Sequence, residues 1–174
     1  MSSRSVFRAI AAAAAATVAT MFVYVAVQQT YRTAADDPQI QIAGDAAAAL
    51  QAGADANRLV PAATVDLASS LAPFVIVFDA ANRPVAGSGR LDGALPVPAA
   101  GVLDVARHDG GHRVTWMPRR GVRVATVLRA VGDGRVVLAG RSLREVEERT
   151  SRLLLMAALA WGALLVTCVV AALL

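Results

Sequence analysis

The sequence predicts an α+β domain, helices laid over one face of a five-stranded antiparallel sheet, held between two membrane-spanning helices. Three observations carry this. Both ends of the chain are long uncharged runs, the segment Phe74 to Phe78 is continuously apolar, and three strand signals follow one another between His112 and Ala139.

At 174 residues the chain has room for one domain and its anchors, which excludes an enzyme with a separate substrate lobe. Its composition is 56% hydrophobic with only 5% aromatic, and the apolar residues gather at the two ends, as membrane segments require. The formal charge is +4, and every basic residue is arginine. The arginines form no stripe of the kind that tracks a phosphate backbone, so no nucleic-acid partner is expected. Cys168 is the sole cysteine and lies in an apolar run, so it can form no intrachain disulfide.

The first span covers residues 6–31, after a short cytoplasmic tail of residues 1–5. No charge interrupts Ala9 to Val27, long enough at 1.5 Å per residue to cross a hydrocarbon core of about 30 Å. Gln28, Gln29, Tyr31 and Arg32 mark the interface. The competing reading is a signal peptide with a poor cleavage site at Thr33 to Ala35, but the run is too long for an ordinary h-region. The second span, residues 153–174, is richer in leucine and valine and follows Arg149 and Arg152. A pair of buried core helices is the alternative for both spans, and too little protein remains to cover them. Arg4 and Arg8 favour a cytoplasmic amino terminus, whereas Arg149 and Arg152 favour the opposite sense. Long loops translocate largely regardless of charge, so residues 32–152 are expected outside.

Within that domain, Asp36 or Asp37 is expected to cap a helix with Pro38 as its first residue, running through Ile40, Ala43, Ala47 and Leu50 and ending at Gly53 to Asn57. A second short helix is expected over Val65 to Leu71, capped by Thr64 and stopped before Pro73. Phe74 to Phe78 reads as a strand buried on both faces, and Pro84 to Ser88 as a returning edge strand. Gly87 to Ala100 is loop, and Pro98 starts a short helix through Val105. His112 to Met117, Val122 to Val131 and Arg135 to Ala139 are strands joined by hairpin-length turns. Ser142-Leu143-Arg144-Glu145 matches a capping box, so a helix begins there and runs uninterrupted into the second span, joining sheet and membrane.

The order of a span, a helix opening on Asp37 to Gln41, the stretch Ser70 to Asp79, and Gly140 to Glu147 leading into a second span resembles the two-span input region of bacterial sensor histidine kinases. The likeness is to those with a PAS/Cache-like extracytoplasmic domain. The resemblance implies a bacterial inner-membrane protein with a periplasmic sensor domain in two-component signalling. It departs from that family in lacking the linker, dimerisation-phosphorylation and ATP-binding regions. The expectation is therefore a non-enzymatic sensor-like protein acting through a second copy of the chain or a separate membrane signalling protein such as a histidine kinase. The alternative is a structural or assembly subunit of a membrane complex. Neither reading specifies a small-molecule ligand.

No residue is expected to be catalytic, to bind a cofactor or to hold a metal. His108 and His112 with Asp109 have a spacing that fits one ion only if helical, and Asp109-Gly110-Gly111 reads instead as a turn without a third ligand. Arg119, Arg120 and Arg123 flank Gly121 at a hairpin tip, as an anion or lipid-headgroup site or, more simply, as a solvated turn. Ser69, Ser70, Ser88 and Thr115 lack the context of a nucleophile, and Gly87-Ser88-Gly89 lacks the setting of a phosphate loop. Trp116 is read as core rather than pocket lining.

Overall fold

The computed structural model describes the backbone of residues 3–173 and the side chains of 7–8, 10–30 and 38–171. Met1, Ser2 and Leu174, and the side chains of Arg4, Tyr31, Arg32, Asp36 and Asp37, lie outside the described residues. The chain divides into two compact units, Met1–Arg32 with Val146–Leu174, and Thr33–Glu145.

The first unit contains two stretches long and apolar enough to cross a membrane, Ile10–Thr30 with mean hydropathy 2.1 and a second within Arg144–Ala171 with mean hydropathy 2.5. They belong to the helices α1 (Ser3–Gln51) and α4 (Arg144–Leu173). The indole Nε1 of Trp161 donates to Thr17 Oγ1 at 2.9 Å, and Thr17 Oγ1 donates in turn to the Ala13 carbonyl at 2.8 Å. An indole N–H that would otherwise lack a partner in hydrocarbon is thereby satisfied.

α1 departs from the expected pattern. It passes through Asp36 and Asp37 without a break and holds Pro38 inside it, so neither aspartate is an N-cap. A proline removes one helical hydrogen bond, and here the buried face that follows it compensates. Ala43, Ala46 and Leu50 are all buried against the sheet.

The remaining elements of the domain are α2 (Ala56–Leu59), β1 (Val65–Asp66), β2 (Phe74–Phe78), β3 (Pro84–Gly87), β4 (Gly89–Arg90), α3 (Ala100–His108), β5 (Gly111–Arg119), β6 (Val122–Ala130) and β7 (Val136–Ser142). The five-stranded antiparallel sheet has the order β3-β2-β7-β6-β5. β1 and β4 pair in parallel beside it.

Helices cover both faces of the sheet, not one. On one face α3 supplies Leu103 and Ala106 to a core with Phe74, Ile76, Phe78, Val124, Leu128 and Leu138. On the other the last turns of α1 pack on Val75, Val77, Val127, Val137 and Ala139. The cause lies in β2, where all five residues are buried. A strand apolar on both faces needs a layer on each side.

Val65 to Leu71 is not helical. Asp66 Oδ1 accepts from the Ala68 amide at 3.0 Å and Asp66 Oδ2 from the Ser69 hydroxyl at 2.7 Å, so the side chain builds a turn directly after β1. Local aspartate and serine bonds of this kind compete with a helix. The expected strands are all present, with β5 and β7 longer than read, and α3 starts two residues after Pro98.

Candidate functional site

Ile42, Asp45, Ala46 and Ala49 of α1, together with Leu59, Pro61, Pro73 and Val75, line an open, mostly apolar groove of about 470 Å³. Its size falls in the range of small-molecule sites, roughly 300–1,000 Å³. The helical spacing of Ile42, Asp45 and Ala49 turns one stripe of α1 toward it, beside the stripe that packs on the sheet. Asp45 is exposed and is the one charged residue in the lining.

One wall of the groove leads into an arginine clasp. Leu71 lies two residues before Pro73, and its carbonyl accepts from Arg141 Nε at 3.1 Å. Arg144, the first residue of α4, donates to the carbonyls of Ser69, at 3.4 Å, and Ala68. Arg141 Nη2 also reaches Glu145 Oε2 at 2.9 Å. The turn that ends at the groove is therefore held by Arg141, near the end of β7, and by Arg144, which begins α4. Ser142 contributes less than a full capping box. Its Oγ accepts from the Arg144 amide at 3.3 Å, two residues on, and the Glu145 carboxylate is engaged by Arg141.

The two histidines sit in different elements. His108 ends α3 and is exposed, Asp109 caps that helix, and His112 is the second residue of β5. Gly110 between them has φ +75°, a left-handed turn that breaks any helical spacing. Among the described residues no three His, Cys, Asp or Glu side chains gather as a metal site.

Gly121 lies at the hairpin tip, but the connection of β5 and β6 is only Arg120 and Gly121, because β5 runs on through Pro118 and Arg119. Arg119 is engaged with Asp92 at 2.7 Å, so the three arginines do not act as one free cluster. Ser88 is buried, and its Oγ accepts from the Val75 amide at 3.1 Å, completing the edge of β2. Ser69 serves Asp66, Ser70 Oγ accepts from the Ala72 amide at 3.1 Å, and Thr115 is exposed on β5. Trp116 is partly buried against the core under α3.

Sequence reasoning missed the arginine contacts. Besides Arg141 and Arg144, Arg107 of α3 donates to the carbonyls of Gly134 at 2.8 Å and Asp79 at 3.0 Å and pairs with Asp104 at 3.0 Å. Nothing local in the sequence signals a side chain bonded to carbonyls more than twenty-five positions away.

No family model, curated protein or solved structure matches this chain.

Proposed function

We propose that the chain is a sensor-like membrane module in which occupancy of the α1–β2 groove is passed to the exit helix. The observation that carries this reading is the clasp of Arg141 and Arg144 on the carbonyls of Ala68, Ser69 and Leu71, beside the groove wall at Pro73. A ligand with an apolar body fits the lining, and Asp45 supplies one acceptor at its rim. Displacement of Pro73 would pull on Leu71 and so on the first turn of α4. Such a change has meaning only if the ligand favours one of two arrangements of that turn.

Under this reading the five-stranded antiparallel sheet, which falls in the chain between two membrane-length helices, is a PAS/Cache-like domain on the outer side of a bacterial inner membrane. Output would pass sideways by helix packing to a second copy or to a separate histidine kinase. The rival is a structural or assembly subunit that uses the domain only as a surface.

The test is hydrogen exchange on the full chain in lipid nanodiscs, comparing wild type with Ala49→Trp, which fills the groove. Under the sensor reading, exchange changes at residues 68–71 and in the first turn of α4. If those amides are unmoved while the fold is retained, the sensor reading fails. A stoichiometric membrane complex indifferent to groove filling would then favour the subunit.

A further inference from the structure

We infer that the free edge of β5 is a docking strand for an extended acidic segment of a partner protein, which would add to the sheet beside β5. This inference does not rest on the groove. It follows from the sheet edge and from two arginines next to it.

β5 closes the sheet on one side, and among the described residues its outer edge pairs with no strand. The pairing fixes which groups face outward. The Ala130 amide donates to the Gly110 carbonyl at 3.2 Å, and the register sets His112 opposite Leu128 and Val114 opposite Thr126, so these even-numbered residues bond β6. The amides and carbonyls of Gly111, Arg113 and Thr115 consequently point away from the sheet. The opposite edge is different. β3 has four residues and begins with Pro84, which leaves little to template another strand.

The side chains beside this edge are basic and unanswered. Arg113 lies opposite Val127, and Arg129 opposite Gly111, all on the face where α1 covers the inner strands and leaves β5 uncovered. A Cβ on Gly111 would stand 2.7 Å from Arg129 Nη1, so the guanidinium lies over that glycine at the sheet margin. A shallow cavity of about 180 Å³ is lined by Gly111, Arg113, Val127 and Arg129, with His112 and Leu128. Arg83, Arg107, Arg119, Arg135 and Arg141 each have a carboxylate within 3.0 Å. Arg113 and Arg129 have none among the described residues.

Charge therefore selects the occupant. Pairing β5 with β5 of a second copy would place two sets of arginines on one continued face with no acid between them. A segment with a carboxylate at every second position would set those groups beside Arg113 and Arg129, while its backbone meets the outward amides. Main-chain bonds would supply affinity and the arginines the selection, as in other cases of strand addition.

The experiment uses the full chain in nanodiscs and a seven-residue capped peptide alternating valine with glutamate. Expected are saturable binding and slowed exchange of the Gly111, Arg113 and Thr115 amides. A lysine-for-glutamate peptide, a backbone N-methylated glutamate peptide, and the combined Arg113→Gln, Arg129→Gln variant should each bind about tenfold more weakly or worse. Equal binding of the N-methylated peptide, or equal protection by free glutarate, would reduce the site to an anion patch and overturn strand addition. No binding of the glutamate peptide, or equal binding of the lysine peptide, would make the arginines a guard against edge pairing and overturn the proposal outright.

Discussion

Phe74 shows how much of this fold depends on what a single residue lacks. Its ring lies between two glycines, so that a Cβ at Gly140 would stand 2.5 Å from Cζ and a Cβ at Gly89 2.5 Å from Cδ2. The ring is 1% exposed and has nowhere to turn. Gly140→Ala should therefore cost about 1–3 kcal/mol, the usual range for overpacking, read as a lowered denaturation midpoint by Trp116 fluorescence. Gly101→Ala is the matched control. Nothing lies within 4 Å of its Cβ position in α3, so it should be neutral or stabilise by up to about 1 kcal/mol. The aspartates make a second residue-scale prediction. The Ser69 hydroxyl and the Ala68 amide hold the Asp66 carboxyl below its ordinary 3.8. Asp79 is lowered first by the Arg83 amide, and Asp133 first by the Arg135 amide. A carboxyl whose pKa is lower folded than unfolded adds stability that is fully present above the unfolded value and is lost as pH falls through the folded one. The domain should thus keep its stability down to about pH 4 and lose it progressively below, and Asp66→Asn or Asp79→Asn should flatten that loss in acid denaturation series.

At the scale of elements, α3 is fastened by Arg107 to the turns that follow β2 and precede β7. Arg107→Met keeps the length of the side chain and removes its bonds to the Asp79 and Gly134 carbonyls. About 2 kcal/mol should be lost, with faster amide exchange at residues 79–83 and 132–135 while the strands stay protected. The elements differ in how openly the sequence declares them. β2 is legible because Phe74 to Phe78 is apolar throughout, and the β5–β6 and β6–β7 hairpins because their turns carry glycine at positive φ, +82° at Gly121 and +87° at Gly134. α1 was misread at Pro38 because the residue is compatible with a helix start. What keeps it inside is tertiary, the packing of Ala43, Ala46 and Leu50 on the sheet. Val65 to Leu71 reads as a helix because Thr64 is a plausible cap and Pro73 a plausible stop, while the outcome is decided by Asp66 and by pairing of β1 with β4, more than twenty residues away. The groove was invisible for the same reason, since its walls come from α1, α2's end and β2.

For the whole molecule, two apolar helices fit a membrane protein, and the Trp161 to Thr17 bond gives the pair a polar contact. Such bonds in bilayers average about 0.6 kcal/mol, so a Trp161→Phe, Thr17→Val double-mutant cycle should show a coupling of that order. The side of the membrane on which the domain lies is the question with the largest consequence. Arg8 stands before the first apolar stretch, whereas Arg149 and Arg152 precede the apolar part of the second, so the flanking charges pull in opposite senses. The weight falls on loop length, because a loop the size of Thr33–Glu145 is beyond the short-loop range in which arginine bias operates. The domain should therefore be outside. A reporter active only in the periplasm should be active when inserted near Gly93, which is at an exposed turn, and a cytoplasmic reporter should be active when joined after Leu174. The opposite pair of results would place the groove and the β5 edge in the cytoplasm. It would remove the extracytoplasmic signal from the proposed function while leaving the acidic-strand test intact, because that test depends on Arg113, Arg129 and the sheet edge and not on which compartment they face.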